Sequence, residues 1–426
     1  MEMYDLTAMG ELLIDFTQLS TDGEGYPTLA AHPGGAPGNF LAALCRYGSS
    51  AAFLGKVGDD AFGRLLVDTL ARAGIETRGI RVDPTVFTTL AFVTLVDGER
   101  SFSFARKPGA DTLLRFDELE LSLIDQSRAF HFGALSLTDE PARSATRQAV
   151  AYARAQGKLV TFDPNYRPPL WRSEAQARAE TLWGLEQADV VKLSDEELSF
   201  LWGCTPEEGA RRLREECGVA LAMITLGPQG CYLENARGAC WVPAPAVRPV
   251  DTTGAGDIFG GSAVAKLLAL DTPPAELEPG ALEGSPSYVR LGKDLEEYSP
   301  ELSANVEKTR NILGETSVMV TSYEKSGSVE TYYAVVGDPL FERLQGIVDE
   351  CKILDGCDTT VVEVHMWEEE DPETGFPAVK DEATIEVSSY GGDANGYQIP
   401  FNIHYKGAPV KGHFKPDTKT FTPDEK

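Results

Sequence analysis

With 426 residues and 42% hydrophobic composition, the chain can bury more than one core, so two or three domains are expected. A net charge of −28 excludes nucleic acid or an anionic membrane as a broad electrostatic partner, though not a small anion held by local amides. The seven cysteines form no CxxC pair, and no apolar run reaches membrane-span length, so reduced thiols in a cytoplasmic protein are expected.

In chain order, GELLI (10–14) reads as a strand ending at Asp15, a carboxylate suited to sugar hydroxyls. HPGGAPGNFLAALCRYG (32–48) then sets Gly34 and Gly35 before Asn39, on the opening turn of a helix with the apolar face Leu41, Leu44, Cys45. Small residues permit close approach of a hydroxylated ligand, and Asn39 offers it both a donor and an acceptor. A strand-end charge at Asp15 and a helix cap at Asn39 are the structural alternatives. The runs AFLGKVG (52–58), RAFHFGALSL (128–137), KLVTFDP (158–164), ADVVKLS (188–194) and ALAMITLG (220–227) are strand-like. They alternate with helical stretches such as 141–157 and 205–218, several of them stopped by Gly. That alternation predicts a parallel sheet covered on both faces. By contrast, 85–109 reads as a hairpin around Asp97-Gly98 that projects from the sheet, where it could cover a pocket.

PVDTTGAGDIFGGS (249–262) carries the strongest chemical signal. Gly254-Ala255-Gly256 lets the backbone turn tightly and aim several amides at one spot, at the start of a helix running to about Leu270. Such a spot suits a transferring phosphoryl group, with Asp257 as a base beside it. The alternative is a plain N-cap, with Asp257 bonding the next amides.

Near residue 285 the composition changes. Upstream, arginine outnumbers lysine about twenty to five; downstream, lysine outnumbers arginine about ten to three. Two stretches of different ancestry explain that exchange, and DTPPAELEPGALEGSPS (271–287) reads as the linker. Beyond it, 316–336, 359–368, 383–390 and 397–414 have an antiparallel texture. One helix is predicted over 338–354, with Asp338 as cap and Pro339 at the first position. The acidic EEEDPETG (368–375) reads as a solvated loop.

Residues 3–283 resemble a ribokinase-like (PfkB-type) sugar kinase, specifically a fructokinase. The likeness is carried by GELLIDF (10–16), PGGAPGN (33–39), ARKPGAD (105–111), HFGALSL (131–137), FDPNYRPPLW (162–171), VKLSDEEL (191–198), TLGPQG (225–230) and DTTGAGDIF (251–259). It implies an α/β, doubly wound sheet with a small projecting β lid, and a reaction in which ATP with Mg²⁺ phosphorylates a sugar's primary hydroxyl. Asp257 would be the general base, and the amides of Gly254, Ala255 and Gly256 the anion hole. Asp15, Gly34, Gly35 and Asn39 would hold the sugar, with Phe104 and Arg106 closing over it. Asn165 and Arg167 would lie near the phosphates. Lys192, Ser194 and Glu197 would organise Mg²⁺ and triphosphate through water, Ser194 standing where many relatives have Asn. Thr225, Gly227, Gly230 and Thr253 would line the nucleotide site. A 2-keto-3-deoxygluconate kinase is the alternative within the class, and a homodimer through the lid is expected.

The resemblance stops just after Leu268. Relatives continue with a helix pair that closes the adenine pocket and completes a K⁺ site, so the kinase domain (1–283) is expected to be C-terminally truncated. Residues 288–426 resemble a phage major tail-tube protein, most strongly over 381–421 and less so over 292–314. That likeness implies a separate, mainly antiparallel β domain with one helix, which self-assembles and has no active site. The competing reading of the whole chain is therefore a structural tail component carrying an inactive kinase fragment.

Overall fold

The structure is a computed structural model that describes residues 4–21, 23, 25–96, 99–244, 252, 254–282, 288, 290–291, 298–310, 316–371, 374–393 and 396–424. It divides into two compact units, Met1–Gly284 and Ser285–Lys426. Among the described residues, no helix is long and apolar enough to cross a membrane.

The first unit has the expected α/β character. Its strands are β1 (Tyr4–Met9), β2 (Leu13–Thr21), β3 (Pro27–Gly34), β4 (Ala51–Gly58), β5 (Ile75–Glu76), β6 (Ile80–Asp83) and β7 (Thr89–Val96). They continue with β8 (Glu99–Ala105), β9 (Ser127–Gly133), β10 (Leu159–Asp163), β11 (Val190–Ser194), β12 (Leu221–Thr225), β13 (Cys231–Asn235) and β14 (Gly238–Val242). The main sheet runs β14-β13-β12-β11-β10-β9-β1-β4-β5, with β6 also on β4. From β12 to β5 it is parallel, and β13 and β14 add an antiparallel edge. Chain order reverses beside β1, whose neighbours are β9 and β4. Ligands of open α/β sheets bind at such a reversal, beyond the carboxyl ends of the strands.

The helices are α1 (Ala36–Arg46), α2 (Ala61–Arg72), α3 (Leu121–Asp125), α4 (Ala142–Ala155), α5 (Glu174–Gln187), α6 (Asp195–Leu201), α7 (Pro206–Glu215) and α8 (Ala255–Leu270). Successive strand residues point to opposite faces, so each strand feeds two cores. On one face Met9, Leu54, Phe130, Phe132, Phe162 and Leu193 pack with residues of α4 to α7. On the other, Leu6, Ala8 and Phe53 pack with Phe40, Leu41 and Leu44 of α1, Leu66 of α2, and Val264 and Leu268 of α8.

The expected hairpin forms as β7 and β8, antiparallel from Leu90↔Ala105 to Val96↔Glu99; its turn, Asp97-Gly98, lies outside the described residues. The hairpin is half of a larger sheet, β3-β2-β7-β8, in which β2 runs parallel to β7 and antiparallel to β3. Pairing of Leu13 with Thr89 joins segments far apart in sequence, which a local pattern does not reveal.

Among its described residues the second unit is a mainly antiparallel sheet with one α-helix. Strands Ser299–Arg310, Thr316–Val329, Phe401–Lys415, Phe376–Val387 and Asp358–Val364 lie side by side in that order. The helix α9 (Pro339–Glu350) is capped by Asp338, which accepts from the Leu340 amide at 3.0 Å. Strand Ser299–Arg310 escapes sequence reading because its polar residues break the apolar alternation.

Candidate active site

Asp257 is the third residue of α8 and not its cap. Gly254 holds the N-cap position at φ 75, a left-handed conformation open to Gly, and among the described residues no side chain caps this helix. The plain N-cap alternative therefore falls. The Asp257 side chain is 8% exposed and faces α1, where Asn39 Nδ2 donates to its Oδ2 at 2.9 Å. Burial, with repulsion from Asp163 second, raises its pKa to about 7; Asn39, Lys192 and Arg167 act in the opposite direction.

The glycines mark close approaches. A Cβ on Gly34 would stand 2.2 Å from Asp15 Oδ2, so the β3 end is pressed against that carboxylate. A Cβ on Gly254 would stand 3.2 Å from Asn39 Nδ2, and one on Gly256 would stand 2.8 Å from Lys192 Nζ. The first turn of α8 thus lies between Asn39 on one side and the Lys192 ammonium on the other. Among the three expected anion-hole amides, Ala255 N–H already donates to the Thr252 carbonyl at 3.2 Å. Thr253 lies outside the described residues.

Three further strand ends converge on the same edge. At the end of β10, Asp163 pairs with Lys192 Nζ at 3.0 Å, both side chains being under a tenth exposed. Its other oxygen accepts the Asn165 amide at 3.1 Å, holding Asn165 at φ 46. Burial alone would lower the Lys192 pKa, but Asp163, Glu197 and Asp257 overcome it and push it up, so this lysine stays charged. Arg167 is exposed, yet its charge reaches both Asp257 and Asp15. Burial raises the Asp15 pKa, with Arg167 and His32 opposing.

Ser194, at the end of β11, caps α6 in a reciprocal box with Glu197: the Glu197 amide donates to Ser194 Oγ at 3.2 Å, and the Ser194 amide to Glu197 Oε2 at 2.8 Å. Glu197 Oε1 accepts the Tyr166 amide at 2.8 Å. Both carboxylate oxygens thus hold backbone, fastening the 163–167 turn to the start of α6. Thr225 stands in register with Ser194 and donates to the Leu193 carbonyl at 3.3 Å. Gly227 and Gly230 follow in the next turn at φ 54 and 104.

Two expected lid residues have different fates. Phe104 sits on β8, half-buried, opposite Ala91. Arg106 is turned into the body: Nε donates to Asp111 Oδ2 at 2.8 Å, Nη1 to Thr138 Oγ1 at 2.8 Å, and Nη2 to the Leu135 carbonyl at 2.9 Å. Sequence reading assigned no role to Asp163, Asp111 or Glu11, although each lies within a motif that carried the resemblance. Their signal was the motif itself; only the fold gives them partners.

The sheet, its β lid and the site beside β1 define a ribokinase-like α/β fold. Residues 3–297 match the pfkB family of carbohydrate kinases, and the chain belongs to that family. Probable fructokinase-4 of Arabidopsis thaliana is 44% identical over 270 residues, covering 62% of this chain and 82% of that protein. The crystal structure of a Xylella fastidiosa fructokinase with bound ATP superposes with a TM-score of 0.58 at 34% identity, over 62% of this chain and 81% of that one. A double mutant of the Vibrio cholerae O395 fructokinase, solved with fructose, ADP and potassium bound, gives 0.56 at 31% identity, over 63% and 85%.

Proposed function

We propose that the chain is a fructokinase, which moves the γ-phosphoryl group of MgATP to a primary hydroxyl of fructose. The single observation carrying this reading is Asp257, buried at the start of α8, bonded to Asn39 and raised to about 7. A base of that pKa can hold and release a proton near neutral pH. The names of the fructokinase relatives support the sugar class.

In this reading Asp15 and Asn39 hold fructose between lid and body. Asp257 takes the proton of the attacking hydroxyl as its oxygen bonds to the γ-phosphorus and the bond to the ADP oxygen breaks. Amides at the start of α8, with Lys192 beneath Gly256 and Arg167 nearby, stabilise the charge gathering on the transferred group. The site adds few acidic ligands: Asp163 is paired with Lys192, and Glu197 holds two backbone amides. Among the described residues no cluster of three metal-ligating side chains exists. That scarcity fits Mg²⁺ arriving on the triphosphate with its waters, as substrate.

Replacing Asp257 with Asn tests the base: fructose binding stays and turnover is lost. Unchanged turnover removes Asp257 from the role. A potassium ion is bound in the Vibrio cholerae relative, and a KCl titration of the same assay checks whether this chain keeps such a site without the helix pair that completes it. Exposed Leu19 on β2 and Tyr26 before β3 support pairing through the lid. The unit from Ser285 is read as the tail-tube-like structural module fused to a kinase that ends early. Its support is a hairpin exposing Leu302, Val306, Val318, Val320 and Tyr323, side chains suited to self-association. On the kinase side, the β12–β13 face beside α8 is covered by Leu267 and Leu277, with Ala281 and Leu282 only partly buried.

A further inference from the structure

The four lid strands leave the body through one buried group of side chains. Glu11 precedes β2, Ala36 follows β3, Thr89 opens β7, and Arg106 follows β8. Glu11 Oε1 accepts the Ala36 amide at 3.0 Å, joining the roots of β2 and β3. Asp111 accepts from Thr89 Oγ1 on one oxygen and from Arg106 on the other, joining the roots of β7 and β8. Arg106 continues to Thr138 and Leu135, beyond β9 in the body. Between β3 and Ala36, Gly35 adopts φ 116, and a Cβ there would stand 2.4 Å from the Glu11 carbonyl. That brings the roots of β2 and β3 into contact, and the charges of Arg106 and Asp111 at the other pair of roots act on Glu11.

Glu11, Arg106 and Asp111 are all 5% exposed or less. Asp111 satisfies Arg106 at 2.6 Å, so the cluster carries one carboxylate more than it has cations. Glu11 Oε2 is buried with no hydrogen-bond partner among the described residues. A buried orphan of this kind costs free energy and is retained where it has a task. Nothing in the proton transfer to Asp257 uses it.

We propose that Glu11 is a positioning residue that sets where the lid stands against α1, and so where Asp15 of the lid meets Asn39 of α1 across the sugar. The sugar part rests on the fructokinase reading; the lid part does not. Burial raises the Glu11 pKa to about 7, Arg106 opposing and Asp111 adding, with Asp139 acting on Arg106 from outside. Its proton therefore comes off near neutral pH, which leaves the cluster with an uncompensated charge and loosens the lid roots.

Hydrogen–deuterium exchange of the full chain without ligand tests this. In Glu11→Ala, amides of β2, β3, β7 and β8 should exchange roughly tenfold faster, while β9 to β12 stay as in the wild type. Equal loosening of lid and main sheet, or no change, overturns the proposal. If Glu11→Ala does not fold, Glu11→Gln decides: it keeps the acceptor for Ala36 but cannot ionise. The wild-type to Gln ratio of lid exchange should then rise between pH 6 and pH 8; a flat ratio overturns the proposal. In the fructose assay, Glu11→Ala should raise KM for the sugar by about tenfold with KM for ATP unchanged. A wild-type chain that does not bind fructose counts against the fructokinase reading alone, because the exchange result uses no sugar.

Discussion

The two units differ most in what they bury. The first hides Glu11, Lys56, Asp60, Arg106, Asp111, Asp163, Glu180, Lys192, Glu197 and Asp257. Among the described residues of the second, Asp381 alone is a buried charged group, and Lys325 meets it at 2.9 Å. Other charged pairs of the second unit, such as Lys406 with Asp358, are roughly half-exposed. Burying charge is costly, and Asp163, Lys192, Glu197 and Asp257 are buried together at the ends of β10 and β11 and the start of α8, the arrangement expected of a chemical site.

Breaking that comparison at its strongest point gives the largest effect. Asp257→Asn should lower kcat for fructose phosphorylation by on the order of 10²–10⁴, with fructose affinity within a few-fold by calorimetry. The next effect is on stability. Lys192→Met leaves Asp163 and Asp257 without their cation and should cost about 3–5 kcal/mol by denaturant unfolding. Lys325→Met, whose side chain is 30% exposed, should cost clearly less.

A smaller effect separates the units by pH. Glu11 and Asp257 have folded pKa values raised to about 7 from 4.5 and 3.8. Their contribution is fully present below the unfolded values and is lost as pH rises through 7. Asp358 and Glu386 are shifted down, so theirs is present above the ordinary carboxylate range and lost only in acid. Scanning calorimetry should show the first unit's Tm falling by several degrees from pH 5.5 to pH 8, flatter in Glu11→Gln, while the second unit's Tm holds. The smallest effect concerns the exposed hairpin: Val318→Asp should reduce self-association in sedimentation and leave fructose phosphorylation unchanged.

Much of the first unit was legible because its signals are local. Apolar runs of about five residues gave β4 and β9 to β12, and the GAGD segment gave the start of α8. The lid was half legible: alternation revealed β7 and β8, but the partnership of β2 with β7 depends on contacts distant in sequence. Asp257 is not the cap, since Gly254 takes that position, and its bond to Asn39 depends on the packing of α8 on α1. The resemblance implies that Arg106 closes over the sugar. Asp111, five residues on, draws it inward instead. Glu197 was similarly drawn to the backbone, since a Ser three residues before a Glu is itself a capping signal. Sequence reading singled out the residues; burial and partners set what each is free to do.

The most direct test is the pH dependence of fructose phosphorylation in a single turnover of the wild-type chain. A base raised to about 7 predicts a rate that climbs about tenfold per pH unit up to that value and then levels. A rate independent of pH between 5.5 and 8, or one already level above pH 5, contradicts the account.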